Sequence, residues 1–281
     1  LDHVLFHGPP GLGKTSMAMV LAKELGVPMF VTTGPAIGKA GELASILTGL
    51  EDRSILFIDE IHRIRASVEE ILYPAMEDKV IDIVLGKGPS AKTIRLDLPE
   101  FTIVAATTKL SMVSAPLRDR FGVDFRLDFY EPSELSEIVI QKANKLGIQI
   151  TDEAAGEIAR RSRMTARIAV RILKRVRDMA VVKGEEIIEV HRVREMLDLL
   201  EIDHLGLDSS DRQILDLMRT QFGGRAVGLS TLAASISEDP ATVEDVYEPF
   251  LLRNGLIERT SRGRIITDKA IKHLEQNGYQ S

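Results

Sequence analysis

Cysteine is absent from this chain of 281 residues. That excludes disulfides and thiolate-bound metals and suits a reducing compartment, so the cytoplasm is the expected location. Long apolar runs are missing too: none approaches the ~18 residues that a membrane-spanning helix requires. Internal repeats and low-complexity stretches are lacking, which leaves ordinary compact domains. Nor is there an excess of positive charge. The formal net charge is -6, and a general grip on a polyanion needs clustered Lys and Arg, so any nucleic-acid contact is local. The chain also opens on Leu1-Asp2 without an initiator Met and reads as a piece of a longer protein, truncated at its amino end.

What is present falls into three stretches. Residues 1–130 alternate short apolar runs (Val4 to Phe6, Pro28 to Thr32, Ser54 to Ile58) with helical patterns from Lys14 and near Leu43. That βαβ rhythm predicts an α/β domain built on a parallel sheet. Residues 131–205 carry helical spacing at Ser133 to Leu146, Asp152 to Arg161, Ala166 to Val182 and Val190 to Leu199, which predicts a small helical domain. Residues 206–281 combine helices near Ser210 to Thr220, Leu229 to Ile236 and Thr242 to Leu252 with two β-like runs around Arg262-Gly263. Three helices and a hairpin predict a winged helix.

The segment from Gly8 through Pro10, Gly11, Leu12, Gly13 and Lys14 to Thr15 fits G-x-x-x-x-G-K-[ST], after a strand and before a helix. Its glycines let backbone N–H groups wrap phosphates, and the following helix adds the positive end of its dipole. Lys14 is placed to reach the terminal phosphates of ATP or ADP and Thr15 to offer a hydroxyl to Mg²⁺, with Ser16 as a further nucleotide contact. A plain Gly-rich turn is the competing reading, and it weakens because the run Ile55 to Ile58 ends on Asp59-Glu60. There Asp59 can hold the Mg²⁺ shell while Glu60 orients and deprotonates a water. Another strand, Phe101 to Ala106, ends at Thr107-Thr108, where a hydroxyl can meet the γ-phosphate, although Thr is also an ordinary strand residue.

Taken together, GPPGLGKT, FIDEIHR (Phe57 to Arg63), GKGPSAK (Gly86 to Lys92), ATT (Ala106 to Thr108), PLRDRFG (Pro116 to Gly122), VYEPFLL (Val246 to Leu252) and RGRI (Arg262 to Ile265) resemble the bacterial RuvB family. The likeness covers essentially the whole chain. It implies an AAA+ P-loop domain, a lid and a carboxyl-terminal winged helix, and a homo-hexameric ATP-driven ring that migrates Holliday junctions in recombination and repair. It further implies partnership with RuvA, and with RuvC in the resolving complex. Thr108 becomes sensor 1, and Arg120 becomes the arginine finger acting in trans, with Arg118 as its neighbour and competitor. Arg167 becomes sensor 2, and Tyr130 stacks on adenine unless it is simply packed at a domain junction. Where the family has S-R-G-T-P-R-I-A-N, this chain runs from Ser162 to Val170 with Met164, Ala166 and Val170 in place of Gly, Pro and Asn.

The third helix of the winged domain carries Glu244, Asp245 and Glu248 and repels phosphate. The wing, with Arg259, Arg262 and Arg264, is the expected contact with duplex DNA, sequence-independent as a junction pump requires. Solvent-exposed arginines are the competing reading. Over 131–205 basic and acidic residues nearly balance, so the arginine-rich run 160–177 reads as a solvated face. The alternating run from Val80 to Leu98 reads as an inserted hairpin, and the resemblance implies that it docks RuvA through Val84, Leu85, Ile94 and Leu96. Two other readings compete: a clamp-loader-like switch, and a nucleotide-gated DNA-binding regulator that does not hydrolyse ATP.

Overall fold

A computed structural model describes residues 1–85 and 92–276; of residues 83–85 and 92 only the backbone is described. The chain divides into two compact units, Leu1–Phe129 and Tyr130–Ser281.

In the first unit the order is β1 (Val4–His7), α1 (Lys14–Leu25), β2 (Met29–Thr33), α2 (Ala40–Thr48), β3 (Ser54–Asp59), α3 (Ala66–Glu77), β4 (Val80–Leu85), β5 (Lys92–Asp97), β6 (Phe101–Thr107), α4 (Ala115–Arg118) and β7 (Val123–Arg126). Five strands form one parallel sheet in the order β2-β3-β6-β1-β7. Its central strands are mostly apolar and almost wholly buried because helices cover both faces. Alternation then splits each strand between two cores. Leu56 and Ile58 of β3, with Ile103 and Ala105 of β6, join the larger cluster with Leu43, Leu47 and Leu72. Ile55, Phe57, Val104 and Ala106 join Val4, Phe6, Ala18 and Ala22 on the other face. Register brings the carboxyl ends of three strands level, with His7 beside Thr107 and Ile58 beside Ala105. In such sheets ligands bind off those ends.

Strands β4 and β5 form the expected antiparallel hairpin, outside the main sheet. Ile81 roots it in the core, and a two-bond pair from Arg95 to Asp82 ties the strands together at 2.9 Å each. Three elements of this unit lie outside the sequence reading: α3, which runs through Pro74, the single turn α4, and β7, a short exposed edge strand.

The second unit begins with α5 (Pro132–Lys145), β8 (Gln149–Ile150), α6 (Asp152–Arg160), α7 (Ala166–Lys183), β9 (Ile187–Ile188) and α8 (Val190–Leu199). Their apolar stripes close a core around Leu135, Ile158, Leu173 and Leu197. There follow α9 (Ser209–Thr220), α10 (Leu229–Ser235), α11 (Pro240–Thr242), a π-turn over Val243–Tyr247, α12 (Glu248–Arg253), β10 (Ile257–Thr260), β11 (Gly263–Ile266) and α13 (Asp268–Gln276). The π-turn sits where Pro249, lacking an N–H, cannot donate to the preceding turn. A separate core forms around Leu215, Met218, Leu232 and Leu251. Polar bonds join the two halves of this unit: Arg163 meets Asp208 at 3.3 Å and Asp211 at 2.7 Å, and His273 meets Asp203 at 2.7 Å.

At the substituted lid segment, Met164 sits in the left-handed region with φ 56°, the place where the family has Gly. That conformation costs a residue with a side chain about 1–2 kcal/mol, against a smaller entropic cost for glycine of about 0.5–1 kcal/mol. Met164→Gly is therefore expected to stabilise the unit by roughly 1 kcal/mol. Ala166 opens α7, and Thr165 before it is extended at φ -127°, ψ 133°, a conformation that proline tolerates in its predecessor. Ala166→Pro should add about 0.4–1 kcal/mol. Urea unfolding checks both, and an unchanged midpoint in either variant would show that strain at this turn is relieved elsewhere.

Candidate nucleotide and DNA sites

The loop between β1 and α1 has Gly8, Gly11 and Gly13 at φ 137°, 82° and 95°, conformations that side chains disfavour. Buried Leu12 anchors it to the protein, while Pro10 and Ser16 are exposed. The amino-terminal N–H groups of α1 have no side-chain cap at Gly13, which leaves them to an anion. Lys14 is buried, and its ammonium donates to the carbonyls of Gly8 and Pro9 at 2.8 Å each. It is thus held over the loop, one exchange of partner away from a phosphate. Thr15 follows, half-buried.

Asp59 ends β3, and Glu60 after it adopts φ 52°, ψ 44°. Its backbone is wedged there: a Cβ on Gly34 would lie 2.3 Å from the Glu60 carbonyl. Strain of this kind is characteristic of sites that fix a reactive group. The Glu60 carboxylate receives the Thr108 hydroxyl at 3.5 Å and faces His62 Nε2 at 3.3 Å. His62 Nδ1 lies 2.9 Å from the Thr107 hydroxyl, which also accepts from the backbone N–H of Lys109. A tautomer with the proton on Nε2 donates to Glu60 and accepts from Thr107. The buried imidazole thereby orients the carboxylate. His62 was not foreseen as a site residue, and Thr107 only as one of two threonines at a strand tip; the motif FIDEIHR contained the signal, but only the structure shows the His62 side chain turned back toward Glu60. Among the described residues no cluster of three or more His, Asp or Glu is arranged to hold a metal. The Thr15 hydroxyl and the Asp59 carboxylate are hard oxygen donors of the kind that Mg²⁺, which keeps several waters, would take.

Arg120 leaves α4 and is held in its own chain. It donates to the Pro116 carbonyl at 2.6 Å, pairs with Glu77 at 3.1 Å, and lies 4.2 Å over the Tyr73 ring. Arg118 is exposed, and its side chain has no hydrogen-bond or ion-pair partner among the described residues. In the second unit, Arg167 is the second residue of α7, exposed and likewise unpaired among the described residues. Tyr130 packs against the lid core; burial, then the charge of Glu134, raises its phenol above the usual tyrosine range.

The three arginines of the wing are held differently from one another. Arg264, with a side chain 14% exposed, turns inward and grips Glu248 at 2.9 and 3.0 Å. Arg259 bonds the same carboxylate at 2.5 Å and reaches Glu244 at 3.3 Å. Arg262, in the turn between the strands, is exposed, and its side chain has no partner among the described residues. The acidic third helix is thus largely neutralised by two of the arginines expected to hold DNA. Burial pushes the Glu248 carboxyl up, but its hydrogen bonds with Arg259 and Arg264 outweigh that and hold it below the usual range. Its contribution to stability is present above that range and is lost as pH falls through the lowered value. Glu248→Ala strands the Arg264 charge and is expected to cost about 3–5 kcal/mol. Urea unfolding at neutral and acidic pH checks this: the gap between wild type and variant should narrow in acid, and a gap independent of pH would remove the ion pair as its cause.

On the hairpin, Ile94 is exposed, while Leu96 packs partly against the core of the first unit. The side chains of Val84 and Leu85, and the GKGPSAK segment between the strands, lie outside the described residues.

A parallel sheet with a P-loop after β1, an acid pair at the end of β3 and a polar tip on β6, together with a helical lid and a winged helix, defines a P-loop ATPase of the AAA+ class. The chain belongs to the RuvB family. Residues 1–127 match the profile of the Holliday junction DNA helicase RuvB P-loop domain, 130–203 the RuvB AAA lid domain, and 204–275 the RuvB carboxyl-terminal winged helix domain. The Holliday junction branch migration complex subunit RuvB of two Clostridium kluyveri strains is 57% identical over 276 residues, covering 98% of this chain and 79% of the relative. Among solved structures, a Thermotoga maritima RuvB mutant superposes with TM-score 0.88 at 48% identity, covering 98% of this chain and 88% of that one. The Thermotoga maritima RuvB Holliday junction branch migration motor gives 0.86 at 47%, covering 98% and 87%.

Proposed function

We propose that the chain is an ATP-hydrolysing subunit of a hexameric motor that drives branch migration of Holliday junctions, in the cytoplasm, with a RuvA protein as partner. The observation that carries the catalytic half is the Glu60 carboxylate, aimed by His62 and Thr108 beside Asp59 and the Gly8–Thr15 loop. Loop N–H groups, the start of α1 and Lys14 bind and orient the phosphates of ATP. Glu60 positions the attacking water and takes its proton, while His62 keeps the carboxylate turned toward that water. Thr15 and Asp59 would hold Mg²⁺, which would supply positive charge to the phosphate oxygens. Arg120 of a neighbouring copy stabilises charge on the γ-phosphate, Thr108 and Arg167 sense it, and Tyr130 holds the adenine.

Duplex DNA is held without regard to sequence by the wing. Arg262 makes the direct phosphate contact there, supported by Arg259 at its half-exposed edge, with Arg264 fixing the hairpin through Glu248. Ile94 presents an exposed apolar side chain that a partner would cover, with Val84 and Leu85 as further candidates by sequence, and Leu96 anchors the hairpin. No helix among the described residues is long and apolar enough to cross a membrane. The test is the steady-state ATPase rate with and without duplex DNA, and with RuvA protein added in parallel. Stimulation by both is expected; turnover indifferent to either would favour a switch over a motor.

A further inference from the structure

The arginine-rich stretch 160–177 separates into two groups in the folded lid. Arg160 and Arg161 each pair with Glu157 at 2.5 Å, and Arg177 pairs with Asp178 at 2.5 Å. Arg171 and Arg175 are exposed, and their side chains have no hydrogen-bond or ion-pair partner among the described residues. They sit one turn apart on α7 and, with Arg161 and Arg163, line a cavity of about 290 Å³ where the lid runs into α9. Asp208 is the one acid on its lining.

The four guanidinium groups are held differently. Arg161 is fixed by Glu157, and Arg163 by Asp208, Asp211 and the Phe250 ring 4.7 Å away. Burial, against the pull of Arg163, pushes the Asp211 carboxyl up to about 7, so this acid screens Arg163 incompletely at neutral pH. Arg171 and Arg175 keep their whole donor forks unspent. Ile168 and Ile172 wall the same cavity, and apolar walls strengthen every charge interaction inside it. Guanidinium forks lining one cavity suit the tetrahedral oxygens of phosphate, which they bind through paired hydrogen bonds.

We propose that this cavity is a phosphate-binding site in which Arg171 and Arg175 grip a phosphate group against a fixed wall formed by Arg161 and Arg163. The phosphate belongs either to the backbone of duplex DNA, a source that rests on the motor function proposed above, or to a free anion. Arg167 precedes Arg171 by one turn of the same helix. A phosphate held here therefore acts on the rigid element that carries the proposed γ-phosphate sensor.

The test compares the full chain with Arg171→Gln/Arg175→Gln and with Lys174→Gln/Arg177→Gln, which removes the same charge from α7 outside the cavity. All three are saturated with ADP so that the P-loop is filled. Duplex affinity is read by fluorescence anisotropy across a salt series, and inorganic phosphate binding by calorimetry. With DNA as the source, the cavity variant should bind duplex about tenfold more weakly, and its salt slope should fall by roughly 1–2, in proportion to the phosphates no longer neutralised, with the control pair unchanged. With a free anion as the source, duplex binding is unchanged and the calorimetric signal of wild type disappears in the cavity variant alone. Equal losses in both variants, or no change in either assay, would overturn the site. A wild-type chain that fails to bind duplex at all counts against the motor reading, and the phosphate arm then decides the cavity.

Discussion

Arg120→Ala is expected to lower the ATPase rate of the assembled protein by about 10³–10⁵-fold, the range associated with loss of a transition-state arginine. Stability should fall by no more than about 2 kcal/mol. The Glu77 partner is exposed, so their ion pair contributes about 0–1 kcal/mol. The Tyr73 contact adds roughly 0.5–1 kcal/mol. Those same contacts give the side chain a defined direction before any neighbour arrives, which spares an arginine acting in trans part of the entropy of ordering. The decisive measurement mixes Arg120→Ala with Lys14→Ala subunits. If the finger works across an interface, mixed rings contain some sites with both an intact loop and an intact arginine, and turnover returns. No recovery at any ratio would refute action in trans. Arg118→Ala runs alongside, because Arg118 is exposed and unpaired among the described residues. Its inactivation, with Arg120→Ala still active, would transfer the role to Arg118.

The elements that position the nucleotide site were legible in the sequence because a parallel sheet buried on both faces writes itself as unbroken apolar runs. The strands β1, β3 and β6 were read within a residue of their ends, and the loop and acid pair follow from them. What escaped had physical reasons. Pro74 interrupts the pattern of α3, since proline removes an intrahelical donor. The strand β7 is exposed along its whole length and carries no apolar run. The ion pairs of the wing escaped for a different reason. Charged side chains are assumed to face water, but Glu248 is 1% exposed, and the residues that neutralise it lie 11 and 16 positions away. Pairing at that separation has no periodicity to read. The same applies to Arg171 and Arg175. The balance of charge over the lid gave no sign of which arginines would find acids and which would not.

Glu60→Gln is expected to bind ATP with affinity close to wild type and to hydrolyse it about 10²–10⁴-fold more slowly, the usual contribution of a positioned general base. The amide keeps the shape of the carboxylate and can still accept from Thr108, so the wedged backbone at φ 52° is retained while the proton acceptor is lost. His62→Ala removes only the group that aims the carboxylate, so its loss of turnover should be smaller, and nucleotide affinity should again hold. If His62 acts through Glu60, the two effects are not additive. Residues working as one unit lose their function once, and the double variant should be no slower than Glu60→Gln alone. Single-turnover hydrolysis, with nucleotide binding measured separately, distinguishes these cases. Unchanged turnover in Glu60→Gln would remove the proposed base. Fully additive losses in the double variant would show instead that His62 reaches the reaction by a route that does not pass through Glu60.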